Sequence, residues 1–304
     1  MTHAGLLLRR WPSAPRRAAP LLAALLAGCR KSVLDPQGPV GLQEKTILVN
    51  SLVVMMAIVI PTLVAALGFA WWFRASNTKA IYRPAFDYSG RIELVVWSIP
   101  ILTITFLGGL IIIGAYTLDP ARPLASKTPP LEVQVVALDW KWLFIYPEQH
   151  VASVNHLVIP AGRPVHFSLT SASVMNAFFV PQLGSQIYAM NGMVTQLNLQ
   201  ADHPGQYFGE SSHFSGDGFS NMSFQVDAVP ADRFAAWTAA QAGSPPLDGP
   251  AYSHLSQQGV VAKPVTFRLA ETDLFDAVAR QRIAPGPGPV MVMGGSNKSP
   301  GGGQ

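Results

Sequence analysis

A single cysteine, Cys29, in 304 residues excludes an intramolecular disulfide framework and any metal site built from thiolates alone. Charge is scarce as well. Asp, Glu, Lys and Arg make up 12% of the chain, about half the share usual in soluble proteins. The net charge of +4 arises at the N-terminus, where Arg9, Arg10, Arg16 and Arg17 stand without an acid among residues 1–28. Beyond them 17 bases balance 17 acids. That balance argues against a nucleic-acid partner, which calls for a basic face. No internal repeat is evident. What the chain has in excess is apolar residues, 49% of the total, gathered into runs.

The four arginines precede a short apolar stretch, Ala18 to Leu26, which ends in Ala27-Gly28-Cys29. A basic region, a short apolar region and small residues define an export signal. The stretch is too short to span a bilayer. Residues 1–28 therefore read as a signal peptide. Leu26-Ala27-Gly28-Cys29 resembles the bacterial lipoprotein signal, in which the Cys is acylated and becomes the new N-terminus. The bland alternative is an ordinary signal with an incidental Cys. Acyl chains at Cys29 would bury in lipid at about 0.8 kcal/mol per CH₂, with residues 29–46 in the periplasm.

Two uncharged apolar runs follow, 47–73 and 94–118. Each exceeds the ~20 residues a helix needs to cross ~30 Å of hydrocarbon. Trp71 and Trp72 close the first, and Trp97 lies near the start of the second, where an aromatic belt is expected. Pro61 and Pro100 lie inside the runs, which membrane helices tolerate. Asn50, Ser51 and Thr62 are candidates for hydrogen bonds between helices. The loop 74–93 holds Arg74, Lys79, Arg83 and Arg91 against Asp87 and Glu93, which places it in the cytoplasm by the positive-inside tendency. Residues from Asp119 onward then return to the periplasm, in agreement with a lipidated, periplasmic Cys29.

From 119 to 230 short segments rich in Val, Ile, Phe, Trp and Tyr alternate with Gly, Pro, Asn and Ser. Candidate strands are 131–137, 141–146, 155–159, 164–170, 177–180, 193–200, 205–207 and 222–228. Many short strands at regular spacing predict an antiparallel β-sandwich or barrel. Residues 231–284 read as a helical arm, with helices over 231–242 and 272–281, a linker at 243–250 and Thr272 as N-cap. Residues 285–304 are rich in Gly, Pro, Ser and Asn and read as a disordered tail.

Several segments carry a family resemblance. They are Leu34-Asp35-Pro36-Gln37-Gly38, Gly68-Phe69-Ala70-Trp71 and Glu93-Leu94-Val95-Val96-Trp97-Ser98-Ile99-Pro100 around the apolar runs. In the β-region they are Asp139-Trp140-Lys141-Trp142-Leu143-Phe144-Ile145-Tyr146-Pro147, Ser173-Val174-Met175-Asn176-Ala177-Phe178-Phe179-Val180-Pro181 and Leu183-Gly184-Ser185-Gln186-Ile187-Tyr188-Ala189-Met190. Their order and spacing resemble subunit II of the haem–copper respiratory oxidases, specifically the bo-type, quinol-oxidising branch. The match runs from about Cys29 to Val229 and weakens to about residue 282. It implies a two-helix membrane hairpin followed by an all-β, cupredoxin-like Greek-key domain with a short helical C-terminal arm. It also implies the bacterial inner membrane, a haem–copper catalytic subunit I and further oxidase subunits as partners beside membrane lipid, and ubiquinol as the substrate of the complex. Haems and copper are then expected in the catalytic subunit.

In the cytochrome c-oxidising relatives this domain holds a dinuclear copper centre. Its ligands are a His, then two Cys, a His, a Met and one backbone carbonyl in the pattern Cys-x-Glu-x-Cys-x-x-x-His-x-x-Met. With Met222 at the Met, the Cys positions fall on Ser211 and Ser215, the carbonyl on His213, the later His on Phe219 and the first His on Asn176. Soft thiolates hold such a pair, and hydroxyls and a phenyl ring do not replace them. The resemblance thus implies no metal, cofactor or catalytic residue in this chain. His213 reads as a solvated loop histidine and Met222 as a core residue.

Trp140 matches the aromatic through which those relatives receive electrons; packing or a subunit contact is the reading without copper behind it. Asp139 and Lys141 are expected to face solvent or a partner. Residues 119–304 hold 13 acids and 10 bases, no large excess for docking a basic cytochrome. Glu93 opens the second run, where an ionisable group is costly unless solvated or functional. The resemblance places it at the mouth of a proton path into the catalytic subunit. The alternative is an interfacial acid favoured by the helix dipole. The function so implied is an accessory subunit of a proton-translocating ubiquinol:oxygen oxidoreductase. The alternatives are subunit II of a cytochrome c oxidase and a membrane-tethered, cupredoxin-like assembly or binding lipoprotein.

Overall fold

A computed structural model describes residues 32–81, 83–286 and 288. The signal peptide, Cys29 and nearly all of the C-terminal tail lie outside the described residues. Two long helices come first, α1 (Pro39–Trp72) and α2 (Gly90–Thr117). Pro39 stands in the first turn of α1, where a missing N–H costs nothing. At 1.5 Å per residue the 34 residues of α1 span about 51 Å, well beyond the ~30 Å hydrocarbon core. The helix therefore starts before the apolar run, and its first turns belong with the β-domain. Its most apolar window, like that of α2, has no buried residue within the chain. Both helices are long and apolar enough to cross a membrane. Thr62 donates to the Ile58 carbonyl of its own helix (2.8 Å), which corrects the expectation of a bond between helices.

Twelve strands follow: β1 (Leu131–Leu138), β2 (Lys141–Tyr146), β3 (Val151–Val154), β4 (His156–Pro160), β5 (Val165–Ser171), β6 (Asn176–Phe179), β7 (Ile187–Ala189), β8 (Thr195–Leu199), β9 (Gly205–Ser211), β10 (Ser223–Val229), β11 (Pro246–Leu247) and β12 (Val265–Leu269). They form a seven-stranded sheet, β11-β12-β3-β2-β1-β5-β8, and a five-stranded sheet, β4-β10-β9-β6-β7. The core between them is aromatic. Phe178 stacks on Phe224 (5.1 Å between centroids) and meets Trp142 and Phe167 at 5.4 Å each. Asn155 fixes the β2–β3 edge by accepting from the Trp142 N–H (2.8 Å).

The C-terminal arm holds α3 (Ala231–Ala240), α4 (Gly249–Leu255) and α5 (Leu274–Ala279), and also the strands β11 and β12. β12 pairs antiparallel with β3, so the arm extends the larger sheet. Tyr252, Leu255, Leu274, Phe275 and Val278 then cover that sheet's outer face, over Val136, Leu138, Leu143 and Ile145. This explains why β2 is buried at every position rather than on alternate ones. The cap position of α5 is Asp273, not Thr272, and its side chain makes no capping bond.

An extended strap joins α1 to the sandwich. Gln37 donates its N–H to the Gln182 carbonyl (2.7 Å), Asp202 donates to the Gln37 carbonyl (2.8 Å), and Gly41 donates to Leu183 (3.1 Å). Gly38 lies against the backbone of Gln200, and a Cβ there would overlap the Gln200 carbonyl. The segment Leu34-Asp35-Pro36-Gln37-Gly38 is thus the part of the chain that docks helix to sandwich.

Candidate functional site

Strands β1 and β2 are joined by a two-residue turn, Asp139-Trp140, with Leu138 opposite Lys141. Trp140 takes a left-handed backbone conformation (φ 66°), uncommon for a bulky residue. Its side chain supplies compensation. The indole Nε1 donates to the Ser215 carbonyl (3.0 Å). The ring lies against Gly218, where any Cβ would collide with it. The turn thereby pins the loop between β9 and β10, which carries most of the positions assigned to copper ligands in the relatives.

Asn176, Ser211, Ser215 and Met222 are all buried. Asn176 opens β6 and Ser211 closes β9. The Ser211 Oγ contacts the Asn176 Oδ1 and the His213 carbonyl, each at 3.2 Å. The Asn176 Nδ2 donates to the Val174 carbonyl (3.1 Å). The Ser215 Oγ donates to the Met222 Sδ (3.7 Å), and the Ser211 N–H donates to the Met222 carbonyl (3.0 Å). The positions are therefore brought together as the register predicts, and they satisfy one another. Phe219 packs edge-on against Phe214 (5.6 Å) in the 3-10 turn Phe219–Asn221. His213 is half-buried, its ring edge-on to Tyr188 at 5.9 Å.

This donor set was tested against a dinuclear copper centre and does not fit one. Two hydroxyls, an amide and a phenyl ring stand where thiolates and imidazoles are needed, leaving one thioether. The Ser211 hydroxyl and the Asn176 amide are bonded to each other, and the Ser215 hydroxyl to the Met222 sulfur. Among the described residues no group of three or more His, Cys, Asp or Glu side chains could hold a metal ion.

Asp139 and Lys141 depart from expectation: both are buried. The Ser173 hydroxyl bonds to the Asp139 carboxylate. The Lys141 Nζ donates to the carbonyls of Gln257 (2.7 Å) and Gly259 (3.0 Å). Burial lowers the Lys141 pKa from its ordinary 10.5, and the negative charge of Asp139 opposes that shift in part. Lys141 clamps the C-terminal arm to the β1–β2 turn, and Asp139 ties the same turn to the segment between β5 and β6. The expectation of solvent or a partner subunit fails because a lone Asp-x-Lys carries no sign of its partners within the chain, which lie 34 and more than 110 residues away. Gly218 carries no sequence signal of its own; a glycine opposite a turn tryptophan is legible only once the two are known to meet.

Glu93 lies in the first turn of α2, exposed in the isolated chain, with its N–H bonded to the Ser89 carbonyl (3.0 Å). It is remote from the loop just described, at the opposite end of α2 from the β-domain. Cys29 falls outside the described residues.

Comparison with known proteins sets these features in context. Residues 132–229 match the family model described as cytochrome c oxidase subunit II, periplasmic domain. The fold class is accordingly two apolar helices followed by a β-sandwich of that cupredoxin-like type. A ubiquinol oxidase subunit 2 of Acetobacter aceti is 52% identical over 237 residues, 77% of each chain. A cytochrome bo(3) ubiquinol oxidase subunit 2 of Pseudomonas aeruginosa is 44% identical over 254 residues, 83% of this chain and 77% of that one. Among solved structures, the periplasmic domain of subunit II of the cytochrome oxidase of Bradyrhizobium japonicum is 23% identical. It covers 38% of this chain and 96% of its own, with a TM-score of 0.36. In class, the chain is a subunit II with a membrane hairpin and a periplasmic domain. It belongs to the ubiquinol oxidase subunit 2 family.

Proposed function

We propose that this chain is the accessory subunit II of a proton-translocating ubiquinol:oxygen oxidoreductase in an aerobic respiratory chain. It scaffolds a haem- and copper-bearing catalytic subunit I in the bacterial inner membrane and carries no redox centre. Lipidation at Cys29 adds an anchor on the periplasmic side. One observation carries the reading. The positions that would bind copper hold Asn176, Ser211, Ser215 and Phe219, and the polar ones are joined in their own hydrogen bonds. A soluble cytochrome then has no relay through this domain. Electrons must enter the partner directly, and a membrane-dissolved quinol can reach it there. Relatives named for ubiquinol oxidase at 44–52% identity favour this over a cytochrome c oxidase subunit. Glu93 is proposed to serve the proton path, from its place at the cytoplasmic start of α2.

The test is purification in mild detergent. The chain should co-purify with a haem protein that oxidises ubiquinol and not reduced cytochrome c. Metal analysis should find no copper beyond that of the catalytic subunit. Two additional copper atoms traced to this polypeptide would overturn the reading.

A further inference from the structure

The loop that joins α1 to α2 makes a cup at the end of the hairpin far from the β-domain. Trp72, Phe73, Arg74, Asn77, Lys79, Ile81, Arg83 and Phe86 line a hollow of about 770 Å³. Three bases face it, and no carboxylate is among its lining residues. Arg74 is held in place: Nε donates to the Ser76 hydroxyl (3.0 Å), Nη1 donates to the Trp71 carbonyl (2.8 Å), and the guanidinium lies 4.8 Å from the Trp71 ring centroid. Its Nη2 makes neither of those bonds. Lys79 and Arg83 are exposed and form no ion pair with the described acids. Asn77 donates to the Trp72 carbonyl (2.5 Å), so the cup's floor is tied to the last turn of α1. Trp71, Trp72, Phe73 and Phe86 are exposed around it.

We propose that this cup binds the headgroup of an anionic phospholipid. The proposal rests on the membrane orientation given above, which puts the loop at the cytoplasmic surface. Aromatic side chains concentrate at the level of the headgroups. Fixed cations at that level attract anionic lipid, each adding a modest increment that salt screens. A guanidinium with Nη2 still to bond and two exposed cations suits a phosphodiester, which accepts charge-assisted hydrogen bonds from all three. Ile81 and Phe86 offer the apolar wall that the glycerol backbone and the upper acyl carbons require. A zwitterionic lipid supplies the phosphate and also an ammonium, which three cations repel.

The full chain, extracted with its partners in mild detergent, is titrated with phosphatidylglycerol, phosphatidylcholine or inorganic phosphate, and bound lipid is counted by native mass spectrometry. One phosphatidylglycerol should bind saturably, about tenfold more tightly than phosphatidylcholine, and millimolar inorganic phosphate should not displace it. Lys79→Gln with Arg83→Gln should weaken binding by roughly thirtyfold, as the loss of two surface cations predicts. Lys127→Gln with Lys263→Gln, two exposed bases elsewhere, should leave it unchanged. Equal retention of both lipids would overturn the proposal, as would full retention in the Lys79/Arg83 variant. So would cross-linking that places the cup against a protein partner. Lipid selectivity in the unsubstituted chain decides the matter even if the double variant does not assemble. Quinol oxidation by the same preparation tests the functional reading separately, since it can succeed while lipid selectivity fails.

Discussion

Single side chains at the β1–β2 turn show how the domain holds the loop between β9 and β10 in place. Trp140 sits in a left-handed conformation because its indole is bonded to the Ser215 carbonyl and covers Gly218. Gly218→Val should therefore force the ring out and cost about 1–3 kcal/mol, the range for overpacking. Urea unfolding followed by tryptophan fluorescence checks this. Lys141 gives a pH dependence. Its pKa in the fold lies below the ordinary 10.5 because burial disfavours the cation. Below the folded value both states hold the proton and the burial cost is borne in full. Between the folded value and 10.5 the unfolded chain alone keeps the proton, so stability rises with pH. The difference in unfolding midpoint between the unsubstituted chain and Lys141→Met should change over that window with that sign. A constant difference would show that Lys141 titrates as it does in the unfolded chain. The residue types at the copper positions are legible in the sequence because the relatives' ligand pattern, set on Met222, locates them. The clamp is not, because Lys141 finds its carbonyls in Gln257 and Gly259, and no local pattern announces a contact across such a separation.

Among elements, the two that depart most from the sequence reading are the strap and the C-terminal arm. The strong strands, such as Lys141–Tyr146, were visible from β-branched and aromatic runs. β3 is not legible because Ala152 and Ser153 at the centre of Val151–Val154 give no β-branched or aromatic run, and β12 because Val265–Leu269 reads as loop until β3 provides its edge. Tertiary pairing, not propensity, makes these strands. Gly243–Pro250 has a linker's composition, yet Leu247 is fully buried and Asp248 caps α4 by accepting from the Ala251 N–H (2.9 Å). Tyr252 on α4 lies between the arm and the larger sheet, with its pKa raised to about 12 by burial. The unfolded chain loses this proton near pH 10 and the folded one near 12. Stability is thus lost as pH rises through that interval, by about 2–3 kcal/mol in full. Limited proteolysis near residues 256–263 should accelerate over this range, and Tyr252→Phe should suppress the acceleration. The strap yields a different outcome. Gly38→Val sets a side chain against the Gln200 backbone. Hydrogen exchange should quicken at Gly41 and Asp202, whose amides bond across that joint, while the aromatic core around Phe178 stays protected.

As a whole the molecule divides into a hairpin of two apolar helices and a β-sandwich. The sandwich is self-sufficient, with an aromatic core and an outer face covered by its own arm. The hairpin is the reverse: Leu63, Leu67, Val96, Leu102 and Ile104 are exposed, so lipid or partner helices must cover it. A chain of this shape contributes surface and position, and the side chain best placed to contribute chemistry is at the end of the hairpin away from the β-domain. Glu93 lies one turn into α2, where the helix dipole favours its charge. If the dipole alone explains it, replacing it costs a few tenths of a kcal/mol in helix stability and nothing in turnover. If it feeds a proton path, Glu93→Ala should slow oxygen consumption and proton uptake several-fold while the complex assembles with unchanged haem content, and Glu93→Asp should retain most of the rate. Full turnover by an assembled Glu93→Ala complex would leave the acid with the dipole as its sole reason for being there.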